Sequence, residues 1–152
     1  MKLWRICRAP FAALDGEGAR LHGGRWSSEG VAVVYLSSSL ALAALEYLVH
    51  VDVSTAPSDL VSMELDVPAD VTTEEVALAS LPEGWNEISD HPACVDLGDA
   101  WVRRGAPCLL FVPSAVIPKS RNALLNPAHP DARRIEARGL EPFAFDRRLM
   151  GG

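Results

Sequence analysis

The sequence predicts an α+β fold in one domain spanning residues 1–152. Segments with strand character outnumber helical ones, and the two kinds follow one another without strict alternation. A chain of 152 residues fits a single domain and buries enough surface to need no staple. It shows no internal repeat and no low-complexity tract.

Leu3 to Cys7 is short and apolar and reads as a first strand. Leu14 to Gly30 is rich in glycine and reads as ordered loop. Val31 to Leu36 is the clearest strand, with a β-branched run and Tyr35. Ser37, Ser38 and Ser39 then offer a helix cap, and Leu40 to His50 reads as a helix so short of polar positions that burial is expected. Leu60 to Val67 alternates Val61, Met63, Leu65 and Val67 with mostly polar neighbours, the pattern of a half-buried strand. Pro68 to Asp90 is acidic and ambiguous. Pro92 to Arg104 reads as a helix stopped by Gly105. Cys108 to Val112 and Asn122 to Leu125 read as strands, and Pro130 to Ile135 as one helical turn. Gly139 to Phe145 reads as a last strand, placed at an edge by Pro142.

The net charge is −6, the wrong sign for gripping a phosphate backbone, so nucleic acid is not the expected partner. A small phosphorylated ligand, needing one or two local cations, remains compatible. Cys7, Cys94 and Cys108 are odd in number and form no CxxC pair, so neither a disulfide framework nor a metal site is expected, and a reducing cytoplasm is. The longest apolar stretch, Leu40 to Val49, contains Glu46 and is too short to span a bilayer. A mean hydropathy of +0.11 is compatible with a face covered by a partner.

Several residues stand out against this background. Glu46 is the only Asp, Glu, Lys or Arg strictly between Glu29 and Asp52. Burying it alone would cost several kcal/mol, so it faces either a thin solvent stripe or a cleft. His50, one turn on, shares its face or simply meets the last helical carbonyls. Gly23-Gly24-Arg25-Trp26 combines close backbone approach with a guanidinium fork for phosphate or carboxylate; the alternative is a surface turn whose Trp26 packs on the core. Arg5 sits in an apolar strand and needs an anion only if it points inward. Ser114, just past a strand, meets either a ligand or its own turn, and Asn126 and His129 have turn roles of the same kind. The sequence contains no GxSxG, Walker A, GxGxxG or HExxH motif.

Taken in order, these fragments resemble one family. Arg5-Ile6, Leu14-Asp15-Gly16, Gly18-Ala19, Gly23-Gly24-Arg25-Trp26, Val33-Val34-Tyr35-Leu36, Ala43-Ala44-Leu45-Glu46, Pro113-Ser114-Ala115-Val116 and Leu125-Asn126-Pro127-Ala128-His129-Pro130-Asp131 together are similar to the RES domain. The resemblance covers most of the chain and leaves Pro68 to Trp101 without a motif. It implies a fold similar to ADP-ribosyltransferases and a toxin that consumes NAD as substrate, with no retained cofactor. It also implies silencing by a cognate antitoxin with an Xre-like DNA-binding part. The family's arginine, glutamate and serine fall on Arg25, Glu46 and Ser114, with Ser120 the alternative serine. Arg5 and Tyr35 match further positions, and His50 and Asn126 are secondary contacts.

In that setting Glu46 would stabilise positive charge on the ribose, Arg25 and Arg5 would hold the pyrophosphate or a ribose-side oxygen, Tyr35 would stack on nicotinamide, and Ser114 would bond the ribose. Hydrolysis, phosphorolysis and transfer of ADP-ribose to a protein share the bond cleavage and differ in the acceptor. A non-catalytic partner-binding module is the alternative of another class.

Overall fold

The computed structural model describes residues 1–151; Gly152, counted in the expected 1–152 domain, lies outside the described residues. Seven strands form one sheet: β1 (Lys2–Arg8), β2 (Val34–Ser37), β3 (Leu60–Asp66), β4 (Thr73–Glu75), β5 (Leu109–Pro113), β6 (Arg121–Leu125) and β7 (Glu136–Pro142). Their order is β4-β5-β6-β2-β1-β3-β7. All neighbours run antiparallel except β4 and β5. Three α-helices complete the domain among the described residues, α1 (Glu17–His22), α2 (Leu40–Leu48) and α3 (Pro92–Arg104), with five short 3-10 helices, one of them the expected turn at Pro130–Arg134. The architecture is α+β.

Strand alternation divides the core in two. Leu3, Val34, Leu36, Met63, Leu65, Leu109, Phe111, Ala123 and Leu125 pack into one cluster. Leu110, Val112 and Leu124, from the opposite face of β5 and β6, pack with Trp26, Val33, Trp85, Cys94 and Trp101 into the other. The second cluster brings α3 onto the sheet. The Trp101 indole N–H donates to the Pro107 carbonyl at 2.8 Å.

One irregularity of pairing shapes the molecule. β1 pairs with β3 along its whole length, from Lys2↔Asp66 to Arg8↔Leu60. With β2 it shares a single residue pair, Trp4↔Ser37. Past that pair β1 and β2 separate, and Arg5, Ile6 and Cys7 on one strand and Val33, Tyr35 and Leu36 at the other become walls of a cleft.

Several elements differ from expectation. Within the glycine-rich stretch 14–30, residues Glu17–His22 form α1. Local polar contacts support it, with Asp15 accepting from the Glu17 N–H and Arg20 paired to Glu17, and such contacts leave no hydrophobic periodicity to read. Val31 to Val33 do not join β2, whose ladder to β6 begins at Val34↔Leu125. The acidic stretch contains β4, a three-residue edge strand whose one strand partner among the described residues is β5. α2 is not a buried helix: Ser39 caps it by accepting from the Leu42 N–H, only Leu42 and Ala43 are buried, and Leu45 and Val49 are exposed. Its apolar residues lie on both faces, so hydropathy overstates its burial. β7 starts at Glu136, ends at Pro142 and occupies the sheet edge. α3 ends with Gly105 in the left-handed region, as its sequence predicts.

α3 approaches the loop after α1 closely. A Cβ on Gly98 would lie 1.7 Å from the Trp26 carbonyl oxygen. Gly98→Ala therefore opposes two effects. Alanine improves helix propensity by about 1 kcal/mol, but overpacking costs about 1–3 kcal/mol and here strikes backbone. We expect a net loss of stability, read as a lower urea midpoint with unchanged m-value; a higher midpoint would show that α3 slides freely.

Candidate active site

The cleft between β1 and β2 has a volume of about 550 Å³, within the usual range for small-molecule sites of roughly 300–1,000 Å³. Its lining includes Arg5, Arg25, Tyr35, Glu46 and His50. Five residues singled out in the sequence thus converge there from β1, the loop after α1, β2, α2 and the turn after α2.

Glu46 lies on α2 one turn after Leu42 and Ala43, the two residues that bury the helix. It therefore faces the cleft rather than a solvent stripe. Its Oε1 accepts two hydrogen bonds, from Ser114 Oγ at 2.6 Å and from Asn122 Nδ2 at 2.7 Å. Asn122 Oδ1 in turn accepts from Ser37 Oγ at 2.8 Å. The carboxylate only accepts, so Asn122 presents its N–H to Glu46, and its Oδ1 is left to take the Ser37 hydroxyl. Oε2 makes no protein hydrogen bond among the described residues. No buried side-chain polar atom there lacks a partner, so Oε2 opens onto the cleft. The result is a carboxylate anchored by one oxygen and free at the other.

Ser114 is 0% exposed. Its hydroxyl donates to Glu46 and accepts from the N–H groups of Val116 and Ile117, at 3.1 and 2.9 Å. One donor and two acceptor sites exhaust a hydroxyl. The expected ribose contact is thus replaced: Ser114 holds Glu46, and its turn-bonding role coexists with that hold. Ser120 is not in the cleft wall; its carbonyl accepts from the Ser114 N–H at 2.9 Å and closes the loop that presents Ser114. Asn126 is 3% exposed and also stands outside the wall. Its Oδ1 accepts from the Ala128 N–H in an Asx turn, the plainer of its two roles.

Arg25 reaches across to the segment before α3. Its Nη1 donates to the Trp85 carbonyl at 2.9 Å and its Nη2 to the Glu87 carbonyl at 2.8 Å. A guanidinium has five N–H donors, so three remain for a ligand. Arg5 donates from Nη1 to the Ala13 carbonyl at 3.0 Å and also lines the cleft. His50 is exposed at the cleft wall just past α2, where its backbone N–H donates to the Tyr47 carbonyl.

Tyr35 places its ring in the cleft wall and its hydroxyl against the Arg25 turn. The hydroxyl accepts from the Trp26 N–H at 3.1 Å and shares a hydrogen bond with Ser27 Oγ at 2.9 Å. A Cβ on Gly24 would lie 2.6 Å from that hydroxyl, which explains the second glycine of Gly23-Gly24. Burial pushes the Tyr35 phenol up to about 12.

Sequence reasoning missed Asn122 and Ser37. The signal for Asn122 was its polarity inside an apolar strand, in phase with buried Leu124. Ser37 was hidden among three serines, of which Ser39 is the cap. Among the described residues no three His, Cys, Asp or Glu side chains gather as a metal group would require, and no helix is long and apolar enough to cross a membrane.

Comparison with known proteins agrees with this architecture. The RES domain family model matches residues 2–146. The Prs ADP-ribosylating toxin of Sphingobium sp. (strain YBL2) is 40% identical over 139 residues, covering 90% of this chain and 86% of that one. Toxin Res of Photorhabdus laumondii subsp. laumondii is 33% identical over 153 residues, covering 99% and 97%. A chain in the crystal structure of the M. tuberculosis MbcT-MbcA toxin-antitoxin complex superposes with a TM-score of 0.75 at 20% identity, covering 99% of this chain and 86% of that one; this likeness shows the fold. The chain belongs to the RES domain family.

The Tyr35 shift carries a pH dependence. Below pH 10 the phenol is neutral folded and unfolded, and its contribution to stability is complete. Between pH 10 and about 12 the unfolded chain releases this proton and the folded chain keeps it, so stability falls. In urea titrations across that window Tyr35→Phe loses less stability per pH unit than wild type. Parallel curves would place the Tyr35 phenol in solvent.

Proposed function

We propose that the chain is the toxin of a toxin–antitoxin pair and cleaves the nicotinamide–ribose bond of NAD. The observation that carries this is the half-anchored Glu46, with Oε2 open to a cleft that also holds Arg5, Arg25 and Tyr35. When that bond breaks, its electron pair leaves with nicotinamide, which departs neutral, and positive charge develops on the ribose as in glycoside cleavage. Glu46 Oε2 stabilises this charge. Ser114 and Asn122 hold the carboxylate in place, so little reorganisation is needed during reaction. Arg25 and Arg5 bind the pyrophosphate, and the Tyr35 ring packs against nicotinamide. His50 lies at the opening, one turn beyond Glu46, where an acceptor enters.

With water as acceptor the reaction is hydrolysis, and with inorganic phosphate it is phosphorolysis. Transfer of ADP-ribose to a protein is a second reading, favoured by the 40%-identical relative named an ADP-ribosylating toxin. NAD is then substrate in every case, with no retained cofactor. The partner that silences the chain is a cognate antitoxin, a reading supported by the fold likeness to a protein solved as a toxin–antitoxin complex; an Xre-like type and a cytoplasmic setting belong to the same proposal. A partner-binding module without catalysis would not require a carboxylate held by Ser114 and Asn122 beside free arginine donors.

Expression without antitoxin should arrest growth and deplete cellular NAD, and Glu46→Gln should do neither while accumulating as folded protein. Arrest by the Gln variant would support the binding module. In calorimetry, Arg25→Ala should weaken NAD binding by about tenfold or more, the scale of a charge-assisted contact. Unchanged affinity would leave Arg25 as a tie to the Trp85 segment alone.

A further inference from the structure

The stretch Pro68 to Trp101, where the sequence resemblance offered no motif, grips the Arg25 turn residue by residue. Trp85 and Glu87 carbonyls hold the Arg25 guanidinium. The Trp85 ring lies 6.1 Å from the Trp26 ring. Gly98 abuts the Trp26 carbonyl. Asp99 takes Ser28 with both oxygens: Oδ1 accepts from the Ser28 N–H at 2.9 Å and Oδ2 from the Ser28 hydroxyl at 2.5 Å.

Gly98 and Asp99 are poor helix formers. Both sit in the middle of a 13-residue helix, where glycine and aspartate have low propensity. Asp99 is only 9% exposed, and among the described residues no cation forms an ion pair with it. A buried carboxylate without a cation is costly unless hydrogen bonds compensate. Here both of its oxygens go to one residue, three positions from Arg25. The glycine lets α3 approach the turn, and the carboxylate sets its register.

We propose that Asp99 is a positioning residue for NAD binding, acting through Ser28 to hold the Arg25 turn at the height where its free guanidinium donors meet the pyrophosphate. This rests on the NAD-cleaving reading of the cleft. Asp99 lies outside the cleft lining and shares no hydrogen bond with Glu46, Ser114 or Asn122, so its removal acts mainly on substrate affinity and leaves the Glu46 anchor intact.

The test uses the purified full chain as wild type, Asp99→Ala, Asp99→Asn and Ser28→Ala, with NAD-cleavage kinetics and amide hydrogen exchange over residues 24–28. Asp99→Ala should raise KM about tenfold, with kcat within about threefold of wild type, and should speed exchange at the Ser28 amide. Asp99→Asn can still accept from the Ser28 N–H and donate to its hydroxyl, and should recover both properties. Should Asp99→Ala fail to fold, Ser28→Ala removes one of the two hydrogen bonds, and a KM rise of about threefold is expected. An unchanged KM in a folded Asp99→Ala, or in Ser28→Ala when it stands in, overturns the proposal, as does an Asn variant no better than Ala. A wild type that consumes no NAD overturns the reading of the cleft instead. The clamp is then judged on exchange alone: protection lost in Ala and kept in Asn supports it, and equal protection in all variants overturns it.

Discussion

The hydrogen bonds converging on one oxygen of Glu46 organise this molecule. Through Oε1 the carboxylate joins α2 to β6 by way of Asn122, and to the loop after β5 by way of Ser114. Ser37 on β2 completes the chain through Asn122. Each member lies on a different element, so the bonds exist together only when the sheet has assembled and α2 has docked. A partly buried carboxylate normally weakens a fold unless its oxygens are satisfied. Here one oxygen is satisfied by two donors and the other is left to the cleft, where the proposed charge stabilisation would use it.

The cleft follows from the sheet. β1 commits its full length to β3 and only the Trp4↔Ser37 pair to β2, and β2 commits its ladder to β6. The gap between β1 and β2 is therefore part of the strand register, not a surface accident. One wall carries Arg5 and the other Tyr35. The Arg25 turn closes over the gap, pinned by the Tyr35 hydroxyl from below and by the segment before α3 from the side. Arg5, Arg25 and Glu46 thus come to the same cleft from different elements, and β2 supports both signs of charge, through the Tyr35 hydroxyl at the Arg25 turn and through Ser37 behind Asn122.

Much of this was legible in the sequence. The Val34-Tyr35-Leu36 segment, the Met63-Leu65 alternation and the Gly105 stop of α3 carried their local structures because packing and capping signals agreed there, whereas the β-branched run at Val31 and Val33 did not extend the strand. Glu46 was visible as a charge in an apolar run. Legibility failed where the determinant was not local. β4 exists because β5 offers it an edge, and nothing within Thr73–Glu75 announces that. α1 is held by polar contacts that leave no periodicity. Asn126 drew notice through its proline neighbour, whereas Asn122 four residues earlier, inside a strand, supports the carboxylate. Ser114 was visible, but its direction was not: only the folded loop shows that its hydroxyl is spent on Glu46 and two backbone N–H groups. Gly98 and Asp99 read as weak helix formers until the Trp26–Ser28 segment is brought against them.

The proposed role of Glu46 is to stabilise the charge that develops on the ribose as NAD is cleaved. Its most direct test is the rate of NAD loss by purified protein, followed by mass spectrometry with and without phosphate, with Glu46→Gln as the comparison. Wild type should release nicotinamide, with the second product's mass identifying water, phosphate or protein as acceptor. A folded Glu46→Gln should be slower by about 10²-fold or more, the scale of losing a main electrostatic stabiliser. Equal rates in the two proteins would remove Glu46 from the reaction.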